Sequence, residues 1–598
     1  MLLNDDHELR NPSELRAAVR AAHRVDEAAH VRALADEAAL TRQADARVEA
    51  HARDLVTHLR AERRRVGGID ALMQEYDLSS EEGVTLMCLA EAVLRIPDAR
   101  TQDEFIEEKL GAGDWHSHLG ASETFFVNAS TFGLMLAGRM VSPGETPPVA
   151  VERLLRKLGE PVIRQAVRRA MGILGRQFVL GESIDAALER ARDRERLGYR
   201  FSYDMLGEAA RTPADAERYF VRYQHAIRAA GRVGAGSGPV EAPGVSVKLS
   251  ALDPRYEFAQ RERVHGVLLD RLLALCELAR EAGVGLCVDA EESDRLDLSV
   301  DLIERAALAT GPGWDGFGLA VQAYQKRAPA LVDWLADLAR RAGTRLLVRL
   351  VKGAYWDTEI KHAQEGGFSG FPVFTRKVHT DVSYLACAKR MLDAGTAFHS
   401  CFATHNARTV AALVEMVGAR RDFEFQRLHG MGEALYGKVL GDARARGVAF
   451  ACRVYAPVGG HEDLLAYLVR RLLENGANTS FVNRIADDSL PLDELVADPV
   501  AQAARNAFAP HPRIRAPRDL FAPERANSTG IDLADPDAVV PLREAMMAAD
   551  HDRWRAQPAG GESGGSVAAR RVTRPADGRH AVGEVRGASA AEARAALG

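Results

Sequence analysis

The chain has 598 residues, 47% of them hydrophobic, and a formal net charge of -6 at pH 7. This composition excludes an intrinsically disordered protein, and at about 150 residues per domain the length allows two to four domains. The acidic balance gives no reason to expect a nucleic-acid partner, because phosphate binding requires a basic surface. The first fifty residues carry seven Arg and no Lys against ten Asp and Glu, which argues against a basic DNA-binding arm.

The cysteines and the N-terminus indicate a cytosolic protein. The six cysteines form no C-x-x-C pair and no metal-ligand spacing, which favours a reducing compartment and gives no metal site. The opening MLLNDDHELRNPSE lacks the cationic and apolar regions of a signal peptide. No run approaches the roughly 18 apolar residues of a membrane span. We therefore predict a cytoplasmic location and leave open a peripheral contact with the inner face of the membrane.

The first third of the chain has a helical pattern. Residues 1–65 are rich in Ala, Arg and Glu, and their thin apolar stripes predict a helical arm that needs a partner surface. Residues 66–198 predict a more apolar helical domain. It includes VTLMCLAEAVLRI (84–96), which is hydrophobic almost all round, and the charged amphipathic segment ESIDAALERARDRERL (182–197).

From residue 199 to residue 485 short β-type runs alternate with helical segments. The eight runs are FSYDML (201–206), GVSVKLSAL (244–252), GVGLCVDAE (283–291), FGLAVQAY (317–324), RLLVRLVKG (345–353), FHSCFATHN (398–406), DFEFQRLHG (422–430) and GVAFACRVYAPVG (447–459). This alternation predicts an α/β fold, a TIM-like (β/α)₈ barrel, with a doubly wound open sheet as the alternative.

Polar residues favour the barrel, because they recur late in the runs, at the strand end where barrels handle ligands. They are Asp289, Gln322, Lys352, His405, His429 and Tyr455. Beyond the barrel, residues 486–530 predict a Pro-rich linker. Residues 531–598 predict the start of a further domain.

The run RLLVRLVKGAYWDTEIKHA (345–363) is the strongest candidate for a functional strand. Arg349 interrupts its apolar residues, and a buried guanidinium requires an anion or a hydrogen-bonded partner. Lys352 and Gly353 follow, and then the aromatic pair Tyr355 and Trp356. Cations and aromatic rings at a strand end suit an anionic, planar ligand, whereas a structural ion pair is the plainer interpretation.

Two further strands offer charged candidates. Strand alternation places Ser246, Lys248 and Ser250 on one face, which leaves Lys248 either at the barrel mouth or on the surface. Asp289 lies on its strand, whereas a surface turn explains Glu291 equally well.

Two adjacent arginines, Arg470 and Arg471, interrupt the leucine-rich helix DLLAYLVRRLLENG (463–476). One interpretation is an i,i+4 ion pair of Arg470 with Glu474 on a solvent-exposed face of the helix. Because leucines line much of this helix, the arginines are also candidates to bind an anion in bidentate geometry. The strand-end residues His405 and His429 are more typical of structural hydrogen bonding than of catalysis.

Seven motifs in order along the chain give it a resemblance to a known family. They are VSVKLSALDPRY, DAEESDRLDLS, RLVKGAYWDTEIKHAQ, TRKVHTDVSYLACA, FATHNARTV, FEFQRLHGMGEALY and RVYAPVGGHEDLLAYLVRRLLENGANTSFVN. Together they resemble the proline dehydrogenase part of the bifunctional proline utilization A proteins. The resemblance implies a (β/α)₈ barrel that binds FAD non-covalently, oxidises L-proline to 1-pyrroline-5-carboxylate by hydride transfer to flavin N5, and passes the electrons to membrane quinone.

The same resemblance implies roles for individual residues. Lys248, Arg470 and Arg471 would bind the proline carboxylate, with Asp289 holding Arg470. Leu350, Tyr355 and Tyr455 would form the wall around the pyrrolidine ring. Arg349 would lie near flavin N5, with Lys352 and Gly353 near the isoalloxazine. The remaining FAD contacts would come from Gln322, Val351, Trp356, Thr375, Lys377, Thr404, His405, Asn406, Gln426, Glu474 and Phe481, with Asp289 and Tyr355 also beside the cofactor.

Two departures from the family pattern stand out. Some members begin with a ribbon-helix-helix DNA-binding domain, and residues 1–60 do not resemble one. The family also continues into an NAD-dependent aldehyde dehydrogenase domain, of which 531–598 resemble only the opening segment, so we expect a truncated chain.

The oligomeric state stays open, with a homo-oligomer as one option. Two alternatives to a dehydrogenase remain: a Schiff-base aldolase using Lys248 or Lys352, and a non-catalytic helical scaffold.

Overall fold

The computed structural model of the protein describes residues 12–65, 100–101, 178–460, 481–487, 489–549, 553–558 and 567–597. The chain divides into two compact units, Glu14–Thr529 and a second that combines Met1–Ser13 with Gly530–Gly598. The predicted helices at 84–96 and 463–476 lie outside the described residues, and so do Arg470, Arg471 and Glu474.

Three helices form the N-terminal arm of the first unit: α1 (Glu14–Ala21), α2 (Glu27–Ala38) and α3 (Arg42–Arg65). Each lies against helices of the barrel's outer ring, which provide the partner surface that the thin apolar stripes require. Buried polar contacts fix two of them. Arg16 of α1 donates to Asp297 at 2.9 Å, and Glu27 of α2 accepts from the backbone nitrogen of Thr375 at 3.0 Å.

Eight parallel strands close into a barrel in sequence order. They are β1 (Tyr199–Met205), β2 (Gly244–Val247), β3 (Leu286–Val288), β4 (Phe317–Gln322), β5 (Leu346–Val351), β6 (Phe398–Ala403), β7 (Phe423–Leu428) and β8 (Ala451–Val458). Every strand overlaps one of the eight predicted runs, and β1 closes the sheet by pairing with β8. The (β/α)₈ fold is confirmed, and the open sheet is excluded.

Helices cover the outside of the barrel. They are α4 (Ile184–Arg196), α5 (Pro213–Val233), α6 (Leu269–Ala282), α7 (Leu296–Thr310), α8 (Ala328–Ala342), α9 (Trp356–Glu365), α10 (Lys377–Asp393), α11 (Ala407–Val417) and α12 (Glu433–Ala445). Local signals fix their ends: Thr212 and Asp215 form a capping box at the start of α5. A short α-helical segment, Arg261–Arg263, and a π-helical turn, Val264–Leu268, precede α6.

The barrel interior is polar, whereas bulky branched residues usually fill it. Alternation along each strand and the register of the ladder, for example Arg349 opposite Cys401 and Ser202 opposite Tyr455, identify the residues that face inward. The polar members are Arg200, Ser202, Asp204, Ser246, Cys287, Gln322, Arg349, His399, Cys401, Glu424, Gln426, Arg453 and Tyr455. Buried charges of both signs must therefore pair inside this barrel.

The first unit ends with α13 (Phe481–Ala486), α14 (Leu492–Leu495) and α15 (Pro499–Arg505). The second unit contains α16 (Pro536–Ala549), α17 (Ala590–Ala595) and the strands β9 (Trp554–Ala556), β10 (Arg570–Thr573) and β11 (Ala581–Val585). Its three strands form a sheet in the order β10-β11-β9. Within the described part of the chain, no helix is long and apolar enough to cross a membrane.

Candidate functional site

Lys248 lies just beyond the end of β2, buried at the carboxyl end of the barrel. Its ammonium donates to both carboxylate oxygens of Asp204 at 2.9 Å and to Asp289 Oδ2 at 3.2 Å. Burial alone would lower the pKa of Lys248, but Asp204, the Tyr455 phenol and Asp289 raise it well above its usual value. The choice left open for Lys248 is therefore decided: it belongs to the barrel mouth and carries a positive charge.

Arg349 extends from the middle of β5 into the barrel interior and is buried. It donates from Nη1 to Asp289 Oδ1 at 2.7 Å, from Nε to Gln426 Oε1 at 2.7 Å and from Nη2 to Ser246 Oγ at 2.9 Å. A weaker contact joins Nη2 to Ser202 Oγ at 3.3 Å. Among the described residues these contacts use four of the five guanidinium N–H groups, so one remains for a ligand.

Asp289 and Tyr455 join the two cations. The Tyr455 hydroxyl donates to Asp289 Oδ2 at 2.6 Å, and its oxygen lies 3.3 Å from Lys248 Nζ. The Arg349 guanidinium lies 4.9 Å from the centre of the Tyr455 ring. Burial would raise the pKa of Asp289, but Lys248 and Arg349 lower it, so Asp289 is the anion that holds both cations.

Lys352, Gly353 and Trp356 lie where β5 opens towards α9. Lys352 pairs with Asp381 of α10, and Trp356 Nε1 donates to the carbonyl of Phe374 at 2.8 Å. Gly353 is exposed and has a φ of +138°, and a Cβ added there would lie 2.4 Å from the Tyr324 ring. Only glycine lets the backbone pass this close to the ring at the mouth of the barrel.

The donors and acceptors at this mouth fit a flavin. Gln322 Nε2 donates to the carbonyl of Glu291 at 2.8 Å, whereas Gln322 Oε1 is buried and accepts no hydrogen bond from the described residues. Arg349, with its remaining N–H, lies on the strand next to that of Gln322. Since a flavin ring presents both donors and acceptors, an unused buried acceptor and an unused cationic donor match its chemistry.

The structure does not bring every predicted site residue into this cluster. Alternation along β5 places Leu350 on the face opposite Arg349, where it is fully buried. Val351 faces the mouth, and Tyr355 and Phe481 are half-buried. Thr375 donates its N–H and hydroxyl to Glu27 at 3.0 Å, and Lys377 is exposed at the start of α10.

The loop after β6 makes local contacts. His405 Nε2 accepts from the backbone nitrogen of Leu428 at 3.1 Å, the Thr404 carbonyl accepts from the Tyr436 hydroxyl at 2.8 Å, and Asn406 caps α11. These contacts agree with the structural interpretation of His405. His429 is half-buried, and its partial removal from water lowers its pKa to about 4.

Sequence reasoning missed Asp204, Glu424 and Arg453. These residues could have been found from the polar residues that alternate with apolar ones in runs such as FSYDM and FEFQRL, because alternation places them on one face of the strand. Glu291 was assigned with equal weight to a surface turn, but it is buried and accepts from the backbone nitrogen of Ser250 at 3.0 Å.

A group of potential metal ligands lies deeper in the barrel, although the sequence gave no metal site. Ligand atoms of His399, Cys401 and Glu424 lie within 4.8 Å of one another. Arg453 already pairs with Glu424 at 2.7 Å, and Arg200 lies 3.5 Å from its other oxygen. Since these guanidiniums match the carboxylate charge and repel a cation, we do not assign a metal to this group.

The fold and the cluster together define a class: a (β/α)₈-barrel protein with a candidate site of buried, paired cations at the carboxyl ends of its strands. Three family models match the chain. They are described as proline dehydrogenase (residues 187–484), DNA-binding domain of proline dehydrogenase (68–178) and proline utilization A proline dehydrogenase N-terminal domain (13–60). The chain belongs to the proline utilization A family.

Individual relatives agree with this assignment. The bifunctional protein PutA of Klebsiella aerogenes is 49% identical over 97% of this chain and 46% of its own length. A proline dehydrogenase of Deinococcus radiodurans is 28% identical over 54% of this chain and 93% of its own. A crystal structure of proline utilization A from Bradyrhizobium japonicum has a TM-score of 0.70 at 47% identity and covers 90% of this chain and 53% of that one. The chain thus spans about half the length of the PutA relatives it matches.

One expectation conflicts with these matches. Charge and the first 60 residues gave no reason for a nucleic-acid partner, yet the match at 68–178 is to a DNA-binding domain model. The expectation rested on residues 1–60 and on the net charge of the whole chain, and neither reports on residues 68–178.

Proposed function

We propose that this chain is an FAD-dependent L-proline dehydrogenase that oxidises L-proline to 1-pyrroline-5-carboxylate. The observation that carries the proposal is the buried cluster of Lys248, Asp289, Arg349 and Tyr455 at the carboxyl end of the barrel. Membership of a family whose matched model is named for this activity supports it.

In this proposal, Lys248 binds the carboxylate of proline. It is held by Asp204 and Asp289, so its ammonium is fixed before substrate arrives and loses little freedom on binding. Arg470 and Arg471, which lie outside the described residues, complete the carboxylate site on the strength of the resemblance. Tyr455 and Tyr355 flank the pyrrolidine ring, while Leu350, on the outer face of β5, supports the strand from behind.

The flavin site in this proposal lies along β5. FAD, when bound, supplies the hydride acceptor that no side chain can provide. Arg349 donates its remaining N–H to the flavin and contributes positive charge that favours the reduced ring, and Lys352 adds to that charge from the mouth. Gln322, Gly353 and Trp356 line the cofactor, and the loop residues from Thr404 to Asn406 shape its outer edge.

The electron acceptor is proposed to be membrane quinone. The resemblance further implies a second, NAD-dependent oxidation to glutamate, which would be carried out by an aldehyde dehydrogenase domain and not by the barrel.

The aldolase alternative is weakened by the state of its nucleophile. A Schiff-base lysine must be neutral to attack a carbonyl. Lys248 is surrounded by two carboxylates and its pKa is raised, so it stays protonated at neutral pH. Lys352 is paired with Asp381.

The proposal is tested by adding FAD to purified protein and recording its visible spectrum. We expect a bound flavin whose absorbance bleaches under anaerobic conditions with L-proline and not with L-alanine, which lacks the ring. Protein that binds no flavin, or flavin that L-proline does not bleach, would reject it.

A further inference from the structure

Glu424 lies on β7, inside the barrel and below the proposed flavin site. It is almost fully buried, and burial alone would raise its pKa, but Arg453 and His399 hold that pKa well below the usual range. Glu424 is therefore a carboxylate anion with no direct role in the reaction described above.

A single line of hydrogen bonds leads from Glu424 to Arg349. Glu424 Oε1 accepts from Gln426 Nε2 at 2.7 Å, and Gln426 Oε1 accepts from Arg349 Nε at 2.7 Å. Below Glu424, Arg453 donates from Nε to the same oxygen at 2.7 Å and from Nη1 to the carbonyls of Phe201 and Ala242 at 3.0 and 2.9 Å. The anion is thus fixed to the barrel wall.

The orientation of the Gln426 amide decides what Arg349 meets. An amide can present its oxygen or its NH₂ group to a neighbour, and only the oxygen accepts from Arg349 Nε. Glu424 can only accept, so it draws the NH₂ group towards itself and turns the oxygen towards Arg349. The reversed amide would turn its NH₂ group towards the Arg349 Nε–H and its oxygen towards the Glu424 carboxylate, so donors would face donors and acceptors would face acceptors inside a buried network, which is costly.

We propose that Glu424 is a positioning residue: acting through Gln426, it fixes the guanidinium of Arg349 beneath the flavin and so tunes the reduction of that flavin. This inference rests on the proposed function, and it concerns how Arg349 is held.

The sign of the change in flavin reduction potential separates this role from a simple charge effect. Removing a nearby negative charge makes the surroundings of the flavin more positive and should raise the potential. Losing the correct position of Arg349 removes positive charge from the flavin and should lower it. The two readings of Glu424 therefore predict opposite shifts.

The experiment measures the midpoint potential of the bound flavin in Glu424→Gln. We expect the midpoint potential to fall by about 30 mV, which for a two-electron couple is a tenfold change in the ratio of oxidised to reduced flavin at a fixed potential. Asp393→Asn is the matched control: Asp393 is exposed at the end of α10, pairs with Lys389 at 3.0 Å, and should leave the potential unchanged. An unchanged or raised potential in Glu424→Gln would overturn the proposal.

A second variant covers the case in which Glu424→Gln does not fold because Arg453 is left unpaired. Glu424→Gln combined with Arg453→Met removes both charges, so net charge is constant and any fall in potential reports position alone. We expect the same fall, and no fall would overturn the proposal. If wild-type protein binds flavin but L-proline does not bleach it, the proposed function fails, whereas the potentials of these variants still test the positioning role.

Discussion

Lys248 is buried, and two carboxylates keep it positively charged. Its removal should therefore chiefly weaken the binding of an anionic ligand. We expect Lys248→Met to raise the KM for L-proline by about thirtyfold to several thousandfold, since losing one partner of a buried charge pair costs about 2–5 kcal/mol. Steady-state kinetics would measure this, with flavin content measured in parallel. Lys361→Met, on the exposed face of α9, is the control and should leave KM unchanged. A normal KM in Lys248→Met would contradict the role given to Lys248.

Glu291 makes the stability of the fold depend on pH. Burial raises its pKa from 4.5 to about 7, so the folded state binds a proton that the unfolded state releases between these values. Stability should therefore fall as pH rises from about 4.5 to about 7 and stay level above that, by up to about 3 kcal/mol.

The variant Glu291→Gln removes this titration and keeps the size of the side chain. Urea unfolding from pH 5 to pH 8 should show a shallower decline than in the parent protein, and the variant should be the more stable of the two at pH 8. Glu257→Gln, at an exposed acid, should follow the parent curve. Parallel curves for Glu291→Gln and the parent would show that Glu291 is not protonated in the folded state at neutral pH.

At the scale of elements, Gly353 is the point at which β5 must turn towards α9. A side chain there would adopt a φ of +138° and collide with the Tyr324 ring at 2.4 Å. We expect Gly353→Ala to cost at least about 1–3 kcal/mol from backbone strain alone. Because the turn shapes the mouth, we also expect the variant to bind FAD more weakly, which a fluorescence titration would measure.

The matched control lies on α12. Gly441 is helical, and an added Cβ meets no atom within 4 Å. Gly441→Ala should therefore stabilise the protein by about 0.5–1 kcal/mol. If Gly353→Ala binds FAD as tightly as Gly441→Ala, the turn does not shape the cofactor site.

The strands of the barrel could be predicted from sequence because each run is short, apolar and bounded by polar or glycine residues. Arg349 could be predicted as buried and paired because it interrupts such a run. The identity of its partners could not be predicted, because Ser246 and Gln426 lie on β2 and β7 and Asp289 directly follows β3. Only the register of the barrel sets which of these side chains meet. The orientation of Leu350 followed from alternation, yet the resemblance had placed it in the substrate wall.

At the scale of the whole first unit, the arm is held to the barrel at separate buried anchors. Arg16 of α1 donates to the Asp297 carboxylate at 2.9 Å and to its carbonyl at 2.6 Å. Glu27 of α2 accepts from Thr375 and lies 2.6 Å from His379 Nδ1. Because α1 is too short to be stable alone, we expect these anchors to act together, with the arm docking as one unit.

A double-mutant cycle tests this cooperation. Arg16→Met and Glu27→Gln should each lower the free energy of unfolding by about 1.5–3 kcal/mol, since each removes hydrogen bonds to a charged group. If the arm docks as one unit, the first loss already frees it, and the double variant should cost clearly less than the sum of the single variants. Hydrogen exchange of the α1 to α3 amides should rise to the same level in all three proteins. Additive costs, with exchange raised only around the substituted helix, would show that α1 and α2 dock independently.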